Sequence, residues 1–243
     1  MSKLGRPIGC EGADTRNRLL VEARRSFATE GFDATTNKCL AKSAGITTAA
    51  IYHYFPSKVN MYVAVFMDVQ KLVCKTIEGS VSADRAISEN ISSMVDALAA
   101  LTRREPAVVS FVLSVSAEAH RHPELMKAVL PIGGQIGRIL LTLSECAVAR
   151  GEVNPEISAR SLEDMLMVVL AGLARFNMVY RDAKRTAELI KSMKLLLAGV
   201  AFKVSASVYL LVFDDLNAST KKIARPTQTN AKPTTRSGLS SSL

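Results

Sequence analysis

A chain of 243 residues that is 48% hydrophobic has enough apolar material for one large domain or two smaller ones, and needs neither disulfides nor a metal to fold. Aromatics are only 5%, tryptophan is absent and β-branched runs flanked by turn residues are scarce, which argues against an all-β fold and for helices packed through Leu, Val, Ile, Ala and Met. The formal charge of +9 sits at the ends: residues 1–65 carry a net +4, residues 66–217 balance at seventeen of each sign, and Lys221, Lys222, Arg225, Lys232 and Arg236 supply +5 from a stretch without acids. Such ends suit nucleic acid, or are plain solvated charge.

Residues 1–13 mix Gly, Pro and basic side chains and read as a disordered arm, able to lay Lys3 and Arg6 along a groove. Asp14 or Thr15 is placed to cap a first helix with Leu19, Leu20, Ala23 and Phe27 inward and Arg16, Arg24 and Arg25 outward. Residues 36–58, TNKCLAKSAGITTAAIYHYFPSK, then build two short helices around a tight turn. Leu40, Ala41 and Ala44 form one helical face, and Gly45 stands where that helix must stop with a positive φ. Thr47 caps a second helix that turns Ala50, Ile51 and Phe55 inward and leaves Thr48, Ala49, Tyr52 and His53 on other faces. Pro56 closes it, Ser57 caps the next, and Lys58 falls in a first turn, where a cation is poorly placed without an anion beside it.

The segment 15–66 resembles the helix-turn-helix of the tetracycline-repressor (TetR) family of one-component transcriptional regulators. The likeness rests on Phe27-Ala28-Thr29-Glu30-Gly31-Phe32, Thr35-Thr36, Ala44-Gly45-Ile46 and the run from Ile51 to Lys58. Family members usually follow the cap with a basic residue and glycine; this chain has Thr48 and Ala49. The resemblance implies that Thr36, Thr47, Tyr52, Tyr54 and Lys58 meet phosphate or its neighbourhood, while Tyr52 and His53, with Thr48 and Ala49, lie where base edges are within reach. Core packing is the competing role for Phe55 and, in part, for Tyr54.

A helix over 57–78 should link two domains, followed by helices over 84–103 and 106–119. Residues 118–126, EAHRHPELM, are similar to a segment of the effector domain in one TetR subgroup. His120 and His122, two apart on a helix, point away from each other and suit a surface or a helix cap better than a metal. A helix over 123–150 carries Pro131 and Gly133-Gly134 and should kink there. A long apolar helix follows Pro155, and the last repeats Ile190, Met193, Leu197, Val204, Val208 and Leu211 as a stripe fit for a four-helix dimer seam or for the monomer core. Residues 218–243 have the composition of a disordered basic tail.

The expectation is an all-α chain of about nine helices: a three-helix DNA-binding domain over 14–65 and a bundle over 66–217 for effector binding and dimerisation. Met94, Phe111, Met126, Met165, Met167, Phe176 and Met178 are candidates for an apolar pocket that the resemblance implies, and equally for plain core. The uncharged stretches 106–117, 165–174 and 204–213 are shorter than the roughly 18–20 residues of a membrane span. No signal peptide is read, and a cytoplasmic location is expected. Cys10, Cys39, Cys74 and Cys146 have no metal or redox spacing, and no phosphate loop or nucleophile elbow is present, so neither a cofactor nor an enzyme is expected. The reading is a homodimeric repressor that binds a palindromic double-stranded operator and is released by a small apolar molecule. The alternative is a ligand-independent architectural or adaptor protein.

Overall fold

The computed structural model describes residues 10–197, with side chains over 13–196. Most of the expected basic arm, the last-helix stripe beyond Leu197 and the basic tail lie outside the described residues. These form ten α-helices and one 3-10 turn, with no strand among them.

α1 (Cys10–Ala34) starts four residues ahead of the expected cap at Asp14. Its regular path ends at Gly31, whose φ of 84° and ψ of 178° are open only to glycine. Leu19, Ala23 and Phe27 are fully buried in the core shared with α2 (Asn37–Ala44), α3 (Thr48–Tyr54) and α4 (Lys58–Glu78). A second flank of α1 lies along α6 (Pro106–Arg121), the most extensive helix pairing in the structure. That flank corrects the placement of Arg24, which is 8% exposed, not outward. Its guanidinium reaches Asp68 of α4 at 3.5 Å and Glu105, just ahead of α6, at 3.1 Å. Periodicity reveals one apolar stripe; a second buried face held by ion pairs leaves no hydrophobic signature.

Aromatic contacts carry the core from α1 into the body. Tyr62 of α4 lies 5.0 Å from Phe27, 5.6 Å from Phe32 and 5.0 Å from Phe111 of α6, ring centre to ring centre. Each fully buried ring contributes about 1.5–3 kcal/mol of burial free energy. Burial, and secondarily the Glu118 carboxylate, push the Tyr62 phenol well above its usual range.

The remaining helices are α5 (Ile87–Arg104), α7 (Pro123–Val129), α8 (Gln135–Ala149), α9 (Ala159–Tyr180) and α10 (Ala183–Leu197). Prolines open α6 and α7 at the first turn, where a missing N–H costs nothing. The helix expected over 123–150 is broken, not merely kinked: a 3-10 turn at Leu130–Ile132 and a left-handed Gly134 separate α7 from α8. α5 has no side-chain cap of its own, and the Glu152 carboxylate beyond α8 accepts its first N–H, from Ile87, at 2.6 Å. Arg150 braces the same turn through the carbonyls of Ala83 and Arg85. The Ile87 N–H first, and Arg150 second, hold the Glu152 carboxyl below the usual carboxylate range. Among the described residues no helix is long and apolar enough to cross a membrane.

Candidate nucleic-acid interface and the cavities of the body

The four local stops that orient the reading helix are those the sequence implies. Thr36 Oγ1 accepts from the Cys39 N–H at 3.2 Å and Thr47 Oγ1 from the Ala50 N–H at 3.2 Å. Ser57 Oγ accepts from the Asn60 N–H at 3.1 Å. Gly45, at φ 68°, ends α2 in a Schellman turn, with Ile46 N–H donating to Ala41 O and Gly45 N–H to Lys42 O. α3 is thereby held with Ile51 and Phe55 in the core, at 0% and 3% exposure, and with Thr48, Ala49, Tyr52 and His53 on the outside. The His53 ring meets the half-buried Tyr54 edge-on at 5.4 Å. Tyr52 is 55% exposed, a high value for so large a ring. The Thr36 and Thr47 hydroxyls use their acceptor lone pairs on backbone N–H groups, so each O–H stays available to an external acceptor.

Lys58 is placed otherwise than its expected role suggests. Its ammonium donates to the carbonyls of Phe32 at 2.7 Å, Asp33 at 3.3 Å and Thr35 at 3.3 Å, and lies 4.3 Å from the centre of the Phe32 ring. All three N–H donors are thus engaged within the protein. The anion anticipated beside this cation is the carbonyl-rich end of α1, so Lys58 clamps α1 to α4. The exposed cations on α2, Lys38 and Lys42, were not singled out in the sequence; the net +4 of residues 1–65 was their only signal. Lys42 borders a shallow groove with Asn17, Arg18 and Gly45.

The same end of α1 meets α6 and the junction between α6 and α7. Glu118, 4% exposed, lies so close to Gly31 that a Cβ there would stand 2.9 Å from its Oε1. Arg121 donates to the same oxygen at 2.8 Å. His122, which joins α6 to α7 as expected of a helix-end residue, has its Nε2 3.3 Å from Asp33 Oδ2 and 3.7 Å from Glu118 Oε2, with the Phe32 ring tilted against it at 4.9 Å. His120 is exposed. Cys39, Cys74 and Cys146 are free thiols, and no cluster of metal-binding side chains occurs among the described residues.

Two adjacent cavities open the body. The inner one, about 140 Å³, is lined by Val73 and Ile77 of α4, Leu98 and Leu101 of α5, Val109 of α6 and Leu170 of α9, among others. The outer cleft, about 1060 Å³, runs between α5, α6, α9 and α10, and shares Ala99, Thr102, Val109, Asn177 and Thr186 with the inner chamber. Of the seven expected pocket residues, Met167 lines the inner chamber and Met178 the outer cleft, and the other five line neither. Met94 and Phe111 are core at 1% and 0% exposure, Met126 packs on that core, Met165 is 40% exposed, and Phe176 meets Tyr180 at a tilt, 4.5 Å between ring centres. The cavity is walled mainly by Leu, Val, Ile and Ala; a methionine or phenylalanine in sequence says apolar, but not on which side of its helix a void has been left.

Residues 19–65 match the family model described as bacterial regulatory proteins, tetR family. The chain is 22% identical over 190 residues to the HTH-type transcriptional regulator UidR of Escherichia coli strain K12, covering 78% of this chain and 94% of that one. It is 43% identical over 56 residues to the HTH-type transcriptional repressor KstR2 of Mycolicibacterium smegmatis, covering 23% of this chain and 27% of that one. Among solved structures, Salmonella enterica GusR superposes with a TM-score of 0.62 at 22% identity, over 82% of this chain and 99% of that chain.

Proposed function

The chain belongs to the tetR family of bacterial regulatory proteins, and from that premise we propose that it is a homodimeric repressor whose α3 reads a palindromic operator and whose body releases DNA when a small molecule fills the cavity. The observation that carries the reading is α3 itself. It is stopped at both ends by local hydrogen bonds, anchored by Ile51 and Phe55, and presents Thr48, Ala49, Tyr52 and His53 outward. Tyr52 and His53 supply polar edges for bases, Ala49 a methyl for thymine contact, and the Thr36 and Thr47 hydroxyls donors for phosphate oxygens. Lys58 acts here by fixing α1 against the start of α4, and so positions the head.

In this proposal residues 14–65 form the reading head and residues 66–217 the body. The dimer seam falls on α9, where Met165, Val168 and Val179 are 40%, 72% and 59% exposed along one face. Ile190 and Met193, the first members of the stripe expected on the last helix, pack into the monomer core instead. Transmission needs no separate device. The inner chamber touches α4 through Val73 and Ile77 and α6 through Val109, Val112 and Leu113, and these two helices also hold α1. A ligand that shifts α4 against α6 therefore favours one setting of the head over another, which is the differential affinity that population shift requires.

Selection of random DNA duplexes by the purified chain, followed by salt titration, tests this. The expected result is a near-palindrome with half-sites about 10–10.5 base pairs apart or somewhat more, bound with an affinity that falls steeply with salt. Salt-sensitive binding with no motif would instead support the architectural alternative.

A further inference from the structure

The two cavities differ in chemistry and meet at a polar waist. The inner chamber is lined by Ile77, Leu98, Leu101, Leu170 and Leu173, among others. At the waist Thr186, 6% exposed, donates its hydroxyl to Asn177 Oδ1 at 3.2 Å, and Thr102 contributes a third polar side chain. The outer cleft is lined by four cations, Arg103, Arg181, Lys191 and Lys194, and by one acid, Asp96. Lys194 already holds Asp96 at 2.6 Å, which leaves Arg103, Arg181 and Lys191 without a carboxylate among the lining residues. Arg181 also has a φ of 48°, and no other non-glycine among the described residues has a positive φ. This left-handed residue ends α9 at the turn into α10, beside the cleft.

We propose that the effector is an amphipathic anion, with an apolar chain in the inner chamber and an oxyanion end, carboxylate or phosphate, between Arg103, Arg181 and Lys191. The inference rests on the reading of the body as an effector domain and goes beyond it by assigning a charge and an orientation to the ligand. An uncharged apolar molecule satisfies only the inner walls and offers no opposite charge to the three cations of the cleft lining. A fully polar anion satisfies the cleft but cannot use the chamber behind it. A molecule with both parts meets both surfaces, and its middle passes Thr102, Asn177 and Thr186, which can hydrogen-bond an ester, amide or hydroxyl there.

The test is calorimetric titration of the full-length chain with decanoate, decyl phosphate, decanol and decylammonium, each repeated with the protein on its selected operator. The two anions are expected to bind about 10-fold tighter than decanol and to lose that advantage at high salt, with decylammonium weakest. The triple variant Arg103→Gln, Arg181→Asn, Lys191→Gln should abolish the preference while leaving decanol binding, helicity and operator affinity unchanged; asparagine tolerates the left-handed backbone at 181. Leu170→Trp, which fills the chamber, should weaken all four ligands. Equal affinity for decanol and decanoate, or a preference that survives the triple variant, would overturn the anionic assignment while leaving an apolar effector site standing. Failure of all four compounds to bind would overturn the effector reading of the body, and the present inference with it.

Discussion

In the head, α2 and α3 are eight and seven residues long, begin on threonine hydroxyls and are closed by Gly45 or Phe55. In the body, α5, α6 and α9 run 18, 16 and 22 residues; α5 borrows its cap from Glu152, and charged groups such as Glu118 and Glu163 are buried at helix contacts. The ends of the head's two short helices are set by bonds between residues three or four apart, so where α2 and α3 start and stop does not depend on the rest of the chain. The body is set by contacts between residues 60 or more apart, such as Ile87 with Glu152, and it leaves a chamber between α4 and α6 unfilled. A rigid reader on an adaptable body is the division of labour that ligand control of DNA binding needs: the element that recognises must not deform, and the element that senses must have more than one packing.

The largest expected effect tests whether head and body are one cooperative unit. Phe111→Ala removes a fully buried ring in contact with Tyr62 and should cost about 3–5 kcal/mol in denaturant unfolding. A single transition shifted to lower denaturant is expected, and two separate transitions would show that the aromatic line from Phe27 to Phe111 does not couple the regions. Tyr52→Ala should leave fold and dimer unchanged while weakening operator binding by about 10- to 100-fold. Unaltered affinity in a folded dimer would remove Tyr52 from the interface. Lys58→Met separates a clamp from a phosphate ligand. It should lower stability by about 2–3 kcal/mol, because carbonyls that share a charged donor lose it, and only secondarily weaken DNA binding. If stability is unchanged and operator affinity collapses, the ammonium serves DNA directly.

Two glycines sharpen the contrast at smaller cost. Gly45→Ala meets nothing within 4 Å and pays only for the left-handed backbone, about 1 kcal/mol. Gly31→Ala pays for a conformation open to glycine alone and also stands 2.9 Å from Glu118, so a loss nearer 2–3 kcal/mol is expected, together with a changed response of operator affinity to effector. Equal losses at the two sites would mean that Glu118 yields freely and is no part of the junction. The smallest effect is at Glu152. Its carboxyl titrates lower in the folded chain than in the unfolded one, so its contribution is complete above the unfolded value of about 4.3 and is lost as pH falls through the folded value. Glu152→Gln should remove that acid-side slope from the stability profile while leaving neutral-pH helicity unchanged.

What lay open in the sequence follows the same division. The caps at Thr36, Thr47 and Ser57, the stop at Gly45 and the burial of Ile51 and Phe55 could all be read in advance, because each depends on a residue type at a fixed short spacing. Helix periodicity gave the inner stripe of α1 for the same reason. Arg24, Lys58 and the pocket went otherwise. Arg24 is buried because α6, more than eighty residues away, covers a second flank of α1. Lys58 is occupied because Gly31 turns three carbonyls of the α1 end toward it.

The sequence by itself therefore determined that the chain is helical, where its reading helix starts and stops, and which face of that helix is free. Only the tertiary structure decided which cation became a clamp, where α7 and α8 separate, and which side chains border the chamber. Local signals fix a backbone hydrogen bond within one turn of helix, whereas a void or an ion pair between distant segments exists only once several helices have settled against one another.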